Sequence, residues 1–304
     1  MNSEPHALVF VSPPDDKPAY REALLMLGRV ALSRKLPPPE VLSGWESAQW
    51  IYASVDGELR HEAAAAVAEL PIDWALVPTQ RRRKRLLVAD MDSTIINVEC
   101  LDELADFAGL KAEIAAITER AMRGELEFEP ALRERVGKLK GLALDALQLC
   151  YDQRVELNPG AETMVRTMAA YGARCLLVSG GFTFFTSRVA QRAGFHANRA
   201  NTLLDDGKTL SGTVSEPILG RAAKLDALQT EAAALNIAAD ETLAIGDGAN
   251  DLDMIKASGL GIAYRAKPIV AAEAHARIDH TALTTALFFQ GYRRDEFWTA
   301  TVTH

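Results

Sequence analysis

Apolar positions in this chain follow two different rhythms. Between residues 86 and 263, short continuous apolar runs alternate with stretches of helical period, and each run ends in polar residues. The clearest run is Leu86-Leu87-Val88-Ala89, followed by Asp90-Met91-Asp92-Ser93-Thr94. A continuous apolar run of this length predicts a strand covered on both faces, hence a parallel sheet. Residues 174–178, 241–245 and 259–263 read as further core strands, with helices over 161–171 and 221–235 between them. Strands alternating with helices predict a doubly wound α/β fold. From residue 98 to about 151 the period is helical throughout: Leu101, Leu104, Ala105 and Ala108 share a face, Gly109 reads as a stop, and Pro130 marks another start. A helical insertion directly after a catalytic-looking strand, at about 98–155, reads as a cap over the strand ends. Residues 201–214 read as a β-hairpin turning at Asp206-Gly207.

The second rhythm belongs to residues 1–80, a small α+β unit with strands at 7–11, 49–53 and 73–77 and helices over 20–29 and 59–70. Leu36-Pro37-Pro38-Pro39 forbids regular pairing and predicts an irregular connection. The order resembles the ACT amino-acid-binding fold, although Ser12-Pro13-Pro14-Asp15-Asp16 stands where that fold carries a glycine-bearing ligand loop. A structural or dimerising role is the other reading of this unit. Residues 85–304 then form the larger domain.

Composition changes this picture little. The chain has 304 residues, 48% hydrophobic and 24% charged, as in ordinary globular domains. Its net charge of −8 argues against nucleic-acid or acidic-membrane partners. The run Arg81-Arg82-Arg83-Lys84-Arg85 is read as a solvated linker. Cys100, Cys150 and Cys175 show no CxxC spacing and read as reduced thiols of a cytoplasmic protein. The histidines have no zinc-ligand spacing. No signal-like segment and no long apolar run is found, which predicts neither secretion nor a membrane span. The aromatic tail (Phe288, Phe289, Tyr292, Phe297, Trp298) reads as packed against this chain or a partner copy.

The candidate chemistry sits at the carboxyl ends of the predicted strands, where open α/β sheets bind ligands. Asp90 and Asp92 stand one residue apart, and strand alternation would face them the same way. Two close carboxylates need a cation or a shared proton. The second strand ends in Ser179-Gly180-Gly181, another in Gly246-Asp247-Gly248-Ala249-Asn250-Asp251, and Lys224 lies early in the helix between. A hydroxyl, glycine amides at a helix N-terminus, a lysine and a few carboxylates with Mg²⁺ together suit a phosphate.

This set, in this order, resembles the four motifs of the haloacid dehalogenase superfamily over about residues 85–285. The resemblance narrows to the phosphoserine phosphatase family through Glu99-Cys100, the cap segment from Ala121 to Leu126, Phe128-Glu129, Arg135-Val136 and Ser179-Gly180-Gly181-Phe182-Thr183. It implies a Rossmann-like core with a helical cap, and Mg²⁺-dependent hydrolysis of O-phospho-L-serine, the last step of serine biosynthesis. Asp90 would be the nucleophile and Asp92 the acid/base, with Asp90, Asp247 and the Asp92 backbone carbonyl holding the metal. Glu99 would bind the substrate ammonium and Arg135 its carboxylate, with Phe128 closing over them. Ser179, Gly180, Lys224 and Asn250 would complete the substrate site, with Thr94 and Asp251 in support. The resemblance leaves open transfer of the phosphoryl group to another alcohol such as homoserine, another small phosphate ester, a non-enzymatic amino-acid sensor, and a homodimer.

Overall fold

The computed structural model describes residues 4–122 and 125–300. Strand β1 (His6–Val11), helix α1 (Lys17–Ser33), strands β2 (Glu40–Ser43) and β3 (Ser47–Tyr52), helix α2 (Gly57–Ala66) and strand β4 (Asp73–Pro78) follow one another from the N-terminus. They form one sheet of order β2-β3-β1-β4, antiparallel throughout. This is the split β-α-β arrangement. Strand β2 is not anticipated by the sequence. It is a four-residue edge strand with Glu40 and Val41 exposed, so it carries no buried apolar run to announce it.

The central strand β1 is covered on both faces. Leu8 and Phe10 pack with Tyr20, Leu27 and Leu59 of the two helices. Ala7, Val9 and Val11 join a different core, which continues into Leu283, Phe288 and Phe289 of the C-terminal segment.

That larger core surrounds a six-stranded parallel sheet. Its strands are β5 (Leu86–Ala89), β6 (Arg174–Phe182), β7 (Ala197–Asn201), β10 (Thr242–Gly246), β11 (Leu260–Tyr264) and β12 (Ala276–Ile278), in the order β12-β11-β10-β5-β6-β7. Side chains alternate as a strand requires. Leu87 and Ala89 face the layer holding helices α7 (Ala161–Ala170) and α8 (Thr183–Ala193), whereas Leu86 and Val88 face α9 (Arg221–Ala234) and α10 (Leu252–Ala257). The fold is thus the expected doubly wound α/β sheet. Two of its strands were not expected. β7 (Ala-Asn-Arg-Ala-Asn) and the three-residue β12 are edge strands, each paired on one side only, and neither has the apolar continuity of the central ones. β7 also takes Asn201 out of the predicted hairpin, which begins instead with β8 (Leu203–Asp205) and returns in β9 (Leu210–Val214).

The segment after β5 is helical, with α3 (Cys100–Phe107), α4 (Lys111–Met122), α5 (Phe128–Lys138) and α6 (Leu144–Arg154). Arg123 and Gly124 of the predicted cap motif lie outside the described residues. The β8–β9 hairpin joins this cap: the amide of Leu210 donates to the Leu142 carbonyl at 2.9 Å and that of Gly141 to the Leu210 carbonyl at 2.8 Å.

The basic run is a solvated linker only in part: Arg81, Arg83 and Arg85 are exposed, whereas Arg82 is half-buried and Lys84 buried. The Arg82 guanidinium donates to the carbonyls of Phe289 (2.7 Å) and Phe288 (3.1 Å) and to the Gln49 side chain (2.7 Å). Lys84 is buried, with Nζ on the carbonyls of Asp240 (2.6 Å) and Arg81 (3.0 Å). Arg81, Arg83 and Arg85 pair with Asp240, Glu296 and Glu241. Five cations in a row look like a solvated stretch only while their distant carbonyls and carboxylates are unseen. Asp73 makes a second tie between the two sheets. Its buried carboxylate accepts from the amides of Asp279, His280 and Thr281 and from the Thr281 hydroxyl, at 2.5–3.3 Å. The aromatic tail is packed in cis, with Phe288, Phe289, Tyr292 and Phe297 all buried, and the three cysteines are free and buried.

Candidate active site

The sheet order reverses direction at β5, which has β6 on one side and β10 on the other. A ligand crevice forms outside the carboxyl ends of the strands at such a point. Asp90 immediately follows β5 and Asp247 immediately follows β10, and the Asp90 amide donates to the Ile245 carbonyl at 3.0 Å.

Strand alternation is not what aligns Asp90 with Asp92, because β5 stops at Ala89. The two aspartates flank Met91 in a tight turn that closes through Ile96 N–H to the Met91 carbonyl at 3.0 Å, with Ser93 in the left-handed region at φ 55°. Asn158, buried beneath, donates to the carbonyls of Thr94 (2.8 Å) and Ile96 (2.9 Å) and fixes the turn. Ser179 and Gly180 also lie elsewhere than expected. β6 runs through Phe182 with a register shift after Val178, so these residues sit on a strand extension and α8 begins only at Thr183.

A cavity of about 520 Å³ opens between this edge and the cap. Asp90, Asp92, Glu99, Phe128, Arg135, Ser179, Gly180, Asp247 and Asn250 all line it. Lys224 lies behind them, buried, with Nζ 2.6 Å from Asp90 Oδ1 and 2.6 Å from Asp251 Oδ1. Asp251 approaches so closely that a Cβ at Gly246 would lie 2.4 Å from its Cγ; only glycine leaves room for it. Asp92 is held by the Cys100 amide on Oδ1 (3.0 Å) and the Ser179 hydroxyl on Oδ2 (2.8 Å), while that hydroxyl accepts from Gly181 N–H (2.8 Å). Thr94 donates to Asp247 Oδ1 at 3.3 Å, and Ser93 to Glu99 Oε1 at 2.7 Å.

On the cap side, the Phe128 ring rests over two glycines. A Cβ at Gly180 would come within 3.3 Å of the ring, and so would one at Gly220. Asn201 ties this seat together, donating to the carbonyls of Gly180 (2.8 Å) and Leu219 (3.2 Å) and accepting from the Leu219 amide (2.7 Å). Arg135 is half-buried in the cavity wall, and Nε donates to the Ala131 carbonyl at 3.3 Å. Three further polar lining residues are not anticipated as site residues by the sequence reading. Asp102 stands one helical turn after Glu99, and that i,i+3 spacing is a usable signal. Lys267 follows β11 at a strand's carboxyl end, also a usable signal. Thr118 has none.

The electrostatics are those of a crowded anionic site. Burial, then Asp251, push the Asp90 carboxyl well above its ordinary range against the opposing Lys224. Burial raises Asp92 against the Cys100 amide and the Ser179 hydroxyl. Burial and Asp251 raise Asp247. Glu99 lines the cavity and is exposed as a residue, yet desolvation of its carboxyl there and the charge of Asp92 lift it to about 7. Burial works against the charge of Lys224, yet Asp90 and Asp251 hold its pKa above normal. Carboxylate oxygens of Asp90, Asp247 and Asp251 lie within 4.8 Å of one another. One lysine does not neutralise this set, and an all-oxygen donor group fits a hard divalent cation better than zinc or copper. The Asp92 carboxylate, turned to Cys100 and Ser179, is outside that trio.

Comparison with known proteins agrees with this geometry. The sequence model of haloacid dehalogenase-like hydrolases matches residues 87–256. A phosphoserine phosphatase from Streptomyces coelicolor is 42% identical over 241 residues, which is 78% of this chain but 58% of that protein, so the chain spans under two thirds of this relative. One from Albidiferax ferrireducens is 44% identical over 208 residues, 67% of this chain and 88% of that one. Among solved structures, a haloacid dehalogenase family hydrolase from Salmonella enterica serovar Typhi superposes with a TM-score of 0.82 at 28% identity, covering 94% of this chain and 98% of the other.

Proposed function

We propose a specific reaction for this chain, which belongs to the phosphoserine phosphatase family of the haloacid dehalogenase-like hydrolases: Mg²⁺-dependent hydrolysis of O-phospho-L-serine to L-serine and phosphate. The observation that carries the reading is the meeting, in one cavity, of the Asp90–Asp92 turn with the Glu99 and Arg135 side chains of the cap. A phosphoryl group suits the first pair. A zwitterionic amino acid suits the second, since it needs one anion and one cation, and a guanidinium can hold a carboxylate in bidentate fashion.

In this reading Asp90 attacks phosphorus in line, a P–O bond to Asp90 forms as the P–O bond to serine breaks, and Asp92 delivers its proton to the departing serine oxygen. Water then attacks the aspartyl-phosphate, Asp92 takes a proton from it, and Asp90 is released with inorganic phosphate. Burial raises the Asp92 pKa and so favours the protonated form that the first step uses, and the Ser179 and Cys100 donors fix the direction of the carboxyl. Asp90, Asp247 and the Asp92 carbonyl would hold Mg²⁺, which when bound supplies charge neutralisation for the phosphoryl oxygens. Lys224 steadies Asp90 and Asp251, Asn250 lies beside the phosphoryl site, and Phe128 on its two-glycine seat closes the cavity to water.

The test is phosphate release from L-phosphoserine by wild type and Asp90→Asn, with Mg²⁺ and with chelator. Turnover needing both the metal and Asp90 is the expected result. Equal turnover of unrelated phosphomonoesters would remove the roles given to Glu99 and Arg135. No release from any ester would remove the hydrolytic reading and direct attention to an alcohol acceptor.

A further inference from the structure

A groove of about 440 Å³ lies between α2 with the start of β4 on one side and β12 with helix α11 (Pro268–Glu273) on the other. Pockets of this size at the meeting of two structural units, with small apolar walls and a few convergent polar groups, are the common form of a small-molecule site. Here alanines, among them Ala64, Ala68 and Ala272, and the half-buried Trp74 ring form the apolar part of a lining whose exposed surface is mostly polar.

The polar groups on this groove are unbalanced. Asp73 is saturated by its four donors from residues 279–281, and Asp279 is paired with Arg277 at 2.6 Å. Arg60 lies 6.0 Å from the Trp74 ring centroid and donates once, to the Leu76 carbonyl at 3.3 Å; it has no carboxylate partner among the described residues. His275 Nδ1 accepts the Gly261 amide proton at 2.8 Å. In the neutral ring the proton therefore sits on Nε2, which makes that atom a donor. Burial and the like charges of Arg60 and Lys84 lower the His275 pKa and favour this neutral form. The formal charges of the two arginines and two aspartates balance, but the hydrogen bonds do not: both carboxylates are engaged, while Arg60 and the His275 N–H have no carboxylate partner among the described residues.

We propose that this groove is a second ligand site, for a small organic anion whose carboxylate or phosphate is held by Arg60 and His275 and whose carbon skeleton lies against Trp74. The surplus of donors selects an anion, and the small alanine side chains leave space for a compact skeleton. The proposal does not depend on the reaction assigned to the cavity under the cap.

The experiment titrates the full chain with benzoate, citrate and inorganic phosphate in turn, following the indole N–H resonance of Trp74, which Trp74→Phe assigns. Phosphate at the active site does not confuse the result, because the probe signal belongs to the groove. The expected outcome is a saturable shift in the millimolar range or tighter for at least one anion. It should weaken at least about tenfold in Arg60→Gln and vanish in Ala272→Phe, which fills the groove at an exposed position without altering charge. A response to phosphate alone or to carboxylates alone supports the site and names its head group. Absence of a saturable shift with all three anions overturns the proposal. So does a shift of equal strength in Arg60→Gln and Ala272→Phe.

Discussion

The joint between the two sheets and the cleft under the cap both bury charge, and burial pushes Asp73 up at the joint as it pushes up the aspartates of the cleft, but the two places supply different partners. At the joint, Asp73 is met by three amides and a hydroxyl, Arg82 by two carbonyls and a side-chain amide oxygen, and Lys84 by two carbonyls. Each ion is paired with neutral dipoles already in place. In the cleft, Asp90, Asp92, Asp247 and Asp251 stand together with Lys224 as the buried cation between two of them, and three of the four are pushed above the ordinary carboxylate range. A saturated charge fastens structure. A crowded set of like charges facing open space is complete only when something else binds, at some cost in stability.

That contrast can be broken most directly at Asp90. Asp90→Asn should lower kcat by about 10⁴-fold or more, while leaving the melting temperature of the metal-free chain unchanged or higher, since one of the crowded carboxylates is gone. A clear loss of stability would put Asp90 in the same class as Asp73. The opposite pattern is expected at the joint. Asp73→Ala strands four donors and should cost about 3 kcal/mol in denaturant unfolding, with kcat of the folded fraction within about twofold of wild type. If activity falls as steeply as stability, the joint is not merely a fastening.

The pH profile sharpens the comparison within the cleft. Glu99, held up at about 7, is neutral below that pH and anionic above it. Only the anion can hold an ammonium, so kcat/KM for L-phosphoserine should rise by up to about tenfold per pH unit as pH climbs toward 7, and level off above it. Glu99→Gln should flatten that rise; an unaltered profile would assign the titration to another group. The smallest effect is expected at the cap seat. Gly220→Ala keeps an allowed backbone (φ −101°) but places a methyl 3.3 Å from the Phe128 ring. Overpacking of about 1 kcal/mol should raise KM roughly fivefold with kcat little changed. Phe128→Leu should partly cancel the effect in the double variant, and simple additivity would show that the ring does not seat there.

Much of the cleft was legible because its residues follow recognisable runs. Leu86–Ala89 is buried on both faces, so its apolar continuity survives in the sequence and places Asp90 at a strand end. Lys224 and the Gly246–Asp251 segment were legible from their places on a helix and at a strand end and from the resemblance to the superfamily motifs; the structure adds that the close approach of Asp251 requires glycine at 246. The edge strands β2, β7 and β12 were not, because a strand paired on one side needs no continuous apolar run. Arg82 was misread because its partners, Phe288 and Phe289, are more than two hundred residues away and act through backbone carbonyls, which any residue supplies.

The sequence by itself determined the doubly wound α/β core, its helical insertion and the set of carboxylates, lysine and serine at its strand ends. Those features rest on side-chain identity and local period, which are written along the chain. Only the tertiary structure decided that a turn rather than a strand aligns Asp90 with Asp92, and that Phe128 is seated on Gly180 and Gly220 through Asn201. It alone fastens residues 81–85 and Asp73 between the two sheets and leaves Arg60 and His275 facing a groove lined in part by alanines. Each of these depends on contacts made across long sequence separations, often to backbone atoms, and such contacts leave no periodic trace in the order of the residues.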